Sequence, residues 1–531
     1  IVAHLFSRKS KWSWRNMNFS YRTVVTLLSV IICASLIRLA FFAIPEKAQP
    51  TLTTKDIRQD LYILFDQIEQ HSAFYALDPQ ANEQQLKRLA GLITEQYQDV
   101  VPKERFAAEL TKLLNTLKDP GTQVAKVENS SGELPLTLRP VNEQWLALDS
   151  KNNPISADFP FITHIDGIPL SKWISASQAY LSEPAKNSQE MQLIWLKRLN
   201  LLREDLGLSI KPHVLISLIN DDLQTTQVTI ALPQPSKTIV KPIEDETELS
   251  FESLITQLDN LAPTAPIRPD YSLEQINQAT VRLKIDDLYA FELDKRQQDA
   301  LRQGMEQPLL IVDLRQARGF SPKLLTMLSR YQDVPQNATP YASAMTQIMG
   351  FAHYRRSPEL RNDYLRPLNF RPLEALELSS PRLKVLTRRL PSIDESRFSP
   401  WFVRTKPEVL AEGNNRLALL VSPLCKQECE WIAYRTKAWS RVNLIGEKTS
   451  GDFARQYQLT LPNSDLDVRF SSSLTYDAAG ELLSGKGTEP DIWLPQNSDI
   501  EWQGLVSLVR AAKPKSIDSP LGSQPKLAQA N

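Results

Sequence analysis

Residues 416–452 read RLALLVSPLCKQECEWIAYRTKAWSRVNLIGEKTSGD. Leu417 to Val421 form a continuous apolar run, which predicts a short strand buried on both faces. Ser422-Pro423 marks a turn, and Trp431, Ile432, Tyr434 and Ala438 then fall at helical spacing. A second apolar run, Val442 to Ile445, predicts a neighbouring strand that leaves into the loop Gly446-Glu447-Lys448-Thr449-Ser450-Gly451-Asp452. Two loop ends that meet beside the first residue of a helix commonly hold the chemistry of an α/β fold.

This stretch resembles the nucleophile segment of the tail-specific (C-terminal-processing) serine peptidases. There an apolar strand, a T-A-S-A-x-E turn opening a helix and a second strand are followed by G-E-x-T-x-G-K. Glu430 matches the glutamate of that turn, and the family's serine stands three residues before it, where this chain has Gln427. Gly446, Glu447, Thr449 and Gly451 match the second motif, so the family's lysine falls on Asp452. The separation of Gln427 and Asp452 equals the family's Ser-to-Lys spacing, so the two losses are in register. The resemblance implies an α/β core of the ClpP/crotonase-like type, with an N-terminal helical region and a small β-rich PDZ-like domain, and with both reacting groups replaced.

The chain has 531 residues, 42% of them hydrophobic, enough to bury sizeable cores in roughly two or three domains. A formal net charge of +0 argues against a strongly basic face, so no nucleic-acid partner is expected. Thirty-six prolines against sixteen glycines suggest a loop-rich chain. No phosphate loop, nucleotide fingerprint or metal-ligand spacing is visible, so neither cofactor nor metal is expected.

Residues 1–22 form a basic tail carrying Arg8, Lys9, Lys11, Arg15 and Arg22. Residues 23–45 follow as an apolar segment interrupted by Arg38, which is near enough to one end to snorkel. The basic flank comes first, so the reading is a single transmembrane anchor with the N-terminus cytoplasmic and the remaining mass across the membrane. The other reading, a cleaved signal peptide, calls for a shorter apolar core and an A-x-A site. Combined with the family resemblance, the anchor implies a single-pass protein of a bacterial inner membrane with its bulk in the periplasm.

Residues 51–127 read as helical. Thr54 or Asp56 is placed to cap a helix bearing Ile57, Leu61, Leu64, Phe65 and Ile68; Leu86, Leu89, Leu92 and Ile93 mark a second, and Phe106, Leu110, Leu113, Leu114 and Leu117 a third. This region resembles the family's N-terminal helical region, which ends in L-x-D-x-H-T; here the residues are Leu117-Lys118-Asp119-Pro120-Gly121-Thr122. The resemblance puts the general base of the tricorn-like branch at Gly121, and from the residues alone Asp119-Pro120-Gly121 is simply a turn. Residues 133–232 alternate short strands with turns. Ile165-Asp166-Gly167-Ile168-Pro169 within them resembles the PDZ-like element that binds peptide ends in this family, while His164 reads as a structural strand residue. Residues 233–275 read as a proline-rich linker with a short helix from Leu249 to Leu261.

The core is assigned to residues 276–500. Val281 to Ile285 and Leu288 to Phe291 read as strands, and Leu309 to Arg315 as a buried parallel strand. The last resembles the family's I-I-D-L-R-x-N-x-G-G through Asp313 and Arg315, with Ala317 and Phe320 replacing the asparagine and one glycine. The resemblance makes Gly319 and Phe320 an oxyanion-type loop, in which Phe320 still has an N–H to donate but carries a ring able to fill the space. On composition alone Asp313 and Arg315 are a structural buried pair. Gly485-Lys486-Gly487-Thr488-Glu489-Pro490-Asp491 resembles the closing motif G-x-G-V-x-P-D. Residues 501–531 read as a C-terminal tail, polar and disordered after Ala512.

A Ser-Lys mechanism needs a hydroxyl nucleophile and an amine able to take its proton. Gln427 and Asp452 supply neither, and Gly121 removes the Ser-His variant. The chain therefore reads as a degenerate peptidase that binds polypeptide segments or a membrane or periplasmic protein partner. The alternative is an active serine-type or cysteine-dependent endopeptidase with a rearranged site. Its candidates are Ser422, Cys425 and Ser450 as nucleophiles and Lys426 or Lys448 as the amine. Cys425 just before a helix is the sharpest of these. Cys429 lies four residues on, a spacing that permits a local disulfide outside the cytoplasm; inert thiols remain the other reading.

Overall fold

The computed structural model describes residues 51–96, 100–125, 132–141, 144–233, 273–332, 348–356, 370–375, 380–407, 413–494 and 502–512. The expected basic tail and anchor, the helix Leu249 to Leu261 and everything after residue 512 lie outside them. Among the described residues no helix is long and apolar enough to cross a membrane.

The strand Arg416–Val421 lies inside a sheet whose order, among the described residues, is Glu274–Asn277, Thr280–Lys284, Leu309–Asp313, Arg416–Val421, Val442–Gly446 and Ile492–Trp493. All neighbours run parallel except the first pair. Alternation along the strands decides the two faces. Leu310, Val312, Leu417, Leu419, Val421 and Leu444 point to one face, where Trp431 and Ile432 of the helix Glu428–Thr436 cover them. Leu309, Ile311, Ala418, Leu420 and Ile445 point to the other, where Leu505, Val506 and Val509 cover them. These last belong to the helix Trp502–Ala511. Residues 502–511 are therefore part of the core rather than a tail, because an apolar sheet face needs a cover and this amphipathic helix supplies it.

A second correction concerns Leu288 to Phe291, which form the start of a helix, Leu288–Leu293. The Asp287 side chain accepts the Ala290 N–H at 3.0 Å, a cap that favours helix, and Leu288 and Phe291, one turn apart, are the buried pair.

The N-terminal region holds the helices Thr54–His71, Pro79–Gln96 and Lys103–Asn115. The first is capped by Thr53, neither Thr54 nor Asp56 being the cap; Asp56 instead closes a capping box back onto Thr53. This region also contains the paired strands Thr51–Thr53 and Val100–Pro102. Its apolar faces pack on Leu461, Leu466, Val468 and Phe470, and its strand Gln123–Ala125 pairs with Asp467–Ser471. The chain thus returns from the N-terminal region directly onto the core.

Residues 133–232 contain an antiparallel sheet in the order Thr137–Val141, Gln144–Leu148, Phe161–Ile165, His213–Ile219 and Thr225–Ala231. The helices Leu170–Ser177, Gln189–Leu196 and Leu199–Asp205 accompany it. Asp166 takes φ +49° at its turn, and its carboxylate accepts 2.9 and 2.7 Å bonds from the fully buried Arg203. His164 is half-buried in its strand, with Nδ1 3.0 Å from the Thr163 hydroxyl.

Candidate active site

The turn after Val421 is locked before any side chain reaches the surface. The buried Ser422 hydroxyl donates to the Arg315 carbonyl at 2.5 Å and accepts the Leu424 N–H at 3.0 Å. Cys425 and Cys429 are joined in a disulfide with their Cα atoms 5.5 Å apart, and both are fully buried. Ser450 is buried, its hydroxyl 3.4 Å from Glu430 Oε1. Lys448 pairs at the surface with Glu489 at 2.8 Å. Ser422, Ser450 and Lys448 are thus engaged in structural contacts, and Cys425, bridged to Cys429, has no thiolate to offer.

Gln427 sits between the two cysteines with φ +60° and ψ −111°, a conformation costly for any residue with a Cβ and typical of functional turns. Its N–H donates to the Asp452 carbonyl at 2.6 Å, while the Lys426 N–H reaches Ala317 at 3.0 Å and the Glu428 N–H reaches Gly319 at 3.1 Å. The loop 315–319 is therefore laced onto the strained turn. In this arrangement the Gly319 N–H points at Gln427 and donates to its side-chain oxygen at 2.7 Å. Gly319 itself has φ +101°, and a Cβ there would meet the Tyr289 ring at 2.6 Å. The Phe320 ring does not fill the site. It is buried in the main core, edge-on to Tyr289 at 6.0 Å between centroids, because the apolar ring gains more from the core than from a polar loop.

Glu430 shapes the second loop. Fully buried, it accepts the Thr449 hydroxyl at 2.5 Å and the Gly451 and Asp452 N–H groups at 2.6 and 3.2 Å. Burial pushes its carboxyl up to about 7, against the pull of those donors and with a smaller push from the Asp452 carboxylate. Gly446 opens this loop at φ +129°, where a Cβ would meet the Val421 carbonyl oxygen at 2.0 Å. The closing segment locks it, the Thr488 N–H donating to the Thr449 hydroxyl at 2.8 Å.

Asp452, in the lysine's place, is buried. Its Oδ2 lies 3.3 Å from Lys426 Nζ and accepts Gln456 Nε2 at 2.8 Å, and its Oδ1 is buried without a partner. A Cβ built on Gly121 would stand 3.2 Å from that Oδ1, 3.2 Å from Asp119 Oδ1 and 2.4 Å from the Ser471 hydroxyl. The structure therefore brings Gly121 and Asp452 together, and Ser471 occupies the room a histidine side chain would need. Asp119 accepts the Ser471 N–H and hydroxyl, each at 2.7 Å, and the Gly121 N–H at 2.8 Å. Burial raises its carboxyl to about 6, opposed by the Ser471 bonds. Asp313 is the reverse case. Burial would raise it, but Arg315 at 2.7 Å and Arg282 at 2.8 Å outweigh that and hold it below the usual carboxylate range. Ser471 and Gln456 were missed in the sequence because neither lies in a motif.

The fold that carries this strained turn, the glycine N–H loop facing it and the second loop closed by a buried glutamate is similar to that of solved CPAF structures. Two solved structures carry the likeness. Mature CPAF complexed with lactacystin is 14% identical, with 86% of this chain and 97% of that chain covered at a TM-score of 0.54. Mature CPAF alone is 14% identical, with 86% and 96% covered at 0.52. At that identity the likeness establishes the fold. No family model matches the sequence, and no curated protein matches it.

Proposed function

We propose that this chain is a peptidase scaffold converted from cleaving polypeptide to holding it, carried on the inner membrane by residues 23–45 with the rest in the periplasm. The carrying observation is the 2.7 Å bond from the Gly319 N–H to the Gln427 side-chain oxygen. An acyl-transfer site needs a nucleophile, a base and free N–H donors for the developing oxyanion. Here the nucleophile's place holds an amide that occupies the donor, and the amine's place holds a carboxylate already answered by Lys426. Losses of this kind remove several orders of magnitude in rate.

The binding half of the reading rests on the small domain. Thr137–Val141 is an edge strand, paired on one side only among the described residues. Beside it a cavity of about 90 Å³ is lined by Leu134, Leu136 and Leu138 and, from the helix side, by Leu193, Leu196 and Lys197. An extended segment added to this edge would place its apolar side chains among these leucines, the PDZ-like mode of capture. A polypeptide with an apolar C-terminus is the expected ligand.

The test is incubation of the full chain with an unstructured protein ending in an apolar segment, reading binding and cleavage together. Binding without cleavage, with binding weakened by Leu136→Asp and any cleavage appearing only in Gln427→Ser/Asp452→Lys, is the expected result. Cleavage by the wild type would overturn the reading, and its loss in Cys425→Ala would make this a cysteine-dependent enzyme.

A further inference from the structure

Behind the helix Glu428–Thr436 lies a group of cations that the peptidase scaffold does not explain. The strand Phe402–Thr405 carries Arg404, which is buried. Its guanidinium lies 4.9 Å over the Trp431 ring and 5.9 Å from the Phe370 ring, and its Nη2 donates to Glu428 Oε1 at 2.6 Å. Its Nη1 is buried with no partner. Thr405, the last residue of the strand, is exposed, and Lys406, the next residue, is half-buried two positions after Arg404. Arg435 follows Trp431 by one helical turn and shares its face, and its Nε is likewise buried without a partner.

Burial, followed by the nearby Arg435 charge, pushes the Lys406 amine down to about 8. Burial also lowers the Arg435 guanidinium. Among the described residues no carboxylate pairs with Lys406 or Arg435, and Glu428 answers Arg404 alone. Desolvated cations with open N–H groups are costly unless something anionic completes them, and guanidinium forks beside an amine match the oxygens of a carboxylate or a phosphate.

We propose that Arg404, Lys406 and Arg435 form an oxyanion-binding site that takes a carboxylate or phosphate group. It is independent of the residues that fill the peptidase positions, so it stands whether or not the chain cleaves polypeptide.

The test titrates the full chain with sodium phosphate and with sodium acetate against sodium chloride at equal ionic strength. It follows Tm and, by mass spectrometry, the acylation of Lys406 by an amine reagent at pH 8. A saturable rise in Tm with phosphate or acetate, accompanied by roughly tenfold slower acylation of Lys406, is the expected result. Lys406→Met should abolish the rise and Lys406→Arg keep it. A response to phosphate alone assigns a phosphate group, and one to acetate a carboxylate. A response no larger than chloride's, or Lys406 acylated equally fast with and without the anions, overturns the proposal even if Lys406→Met fails to fold.

Discussion

The Ser188 hydroxyl donates to Glu447 Oε2 at 2.5 Å, across 259 positions of sequence. The Ser188 hydroxyl oxygen in turn accepts the Met191 N–H at 3.3 Å and so caps the helix Gln189–Leu196. One side chain therefore joins the helix that lines the small-domain cavity to the loop that frames Gln427. Ser188→Ala should cost about 1 kcal/mol, the usual loss for a helix N-cap. Amide exchange should quicken both in 189–196 and in 446–452. Quickening confined to the helix would show that the two elements are not coupled.

Gln427 should be more stable as glycine than as alanine. Both substitutions free the Gly319 N–H, but only glycine relieves the φ +60° backbone, a strain of about 1–3 kcal/mol. Urea denaturation of Gln427→Gly and Gln427→Ala should separate them in that order. Equal stabilities would mean that the turn relaxes.

Restoring a histidine at position 121 should fail by itself. The Ser471 hydroxyl lies 2.4 Å from where its Cβ must go, and overpacking of a buried site costs about 1–3 kcal/mol. Gly121→His should therefore destabilise without creating cleavage in a Gln427→Ser background. Adding Ser471→Gly should recover part of the stability. A Gly121→His variant as stable as the wild type would show that Ser471 moves aside freely.

Stability should fall as pH rises from about 4 to about 7. Asp119 and Glu430 have folded-state values raised to about 6 and about 7, against roughly 4 in an unfolded chain. The folded state therefore holds more protons within that window, and the stability they contribute is present below it and lost through it, by up to about 1.4 kcal/mol per group per pH unit. Glu430→Gln should flatten the upper part of this slope in Tm measured against pH. An unchanged slope would remove Glu430 as its source.

The chain has three cysteines, two of them paired. Denatured under non-reducing conditions it should show one reactive thiol, and three after reduction. A closed loop of this size stabilises by about 2 kcal/mol in the chain-entropy account. Cys425→Ala/Cys429→Ala should lower stability by that order and loosen the turn at Gln427. Three thiols before reduction would exclude the bridge.

The mainly apolar runs Leu309 to Val312, Leu417 to Val421 and Val442 to Ile445 determined three adjacent strands of a parallel sheet, because a strand covered on both faces is largely apolar. Glycines such as Gly446 and Gly451 marked the loop ends in the same way, since positive φ and close backbone approach leave little else to place there. The short segment Leu288 to Phe291 misled, because four residues hold too little periodicity to separate strand from helix and the Asp287 cap decided it. Only the tertiary structure placed the Gln427 side-chain oxygen on Gly319, put Ser471 where a histidine would stand, and laid the Arg404 guanidinium over the Trp431 ring. Each depends on contacts between residues far apart in the chain, and their pairing leaves no period or spacing in the sequence.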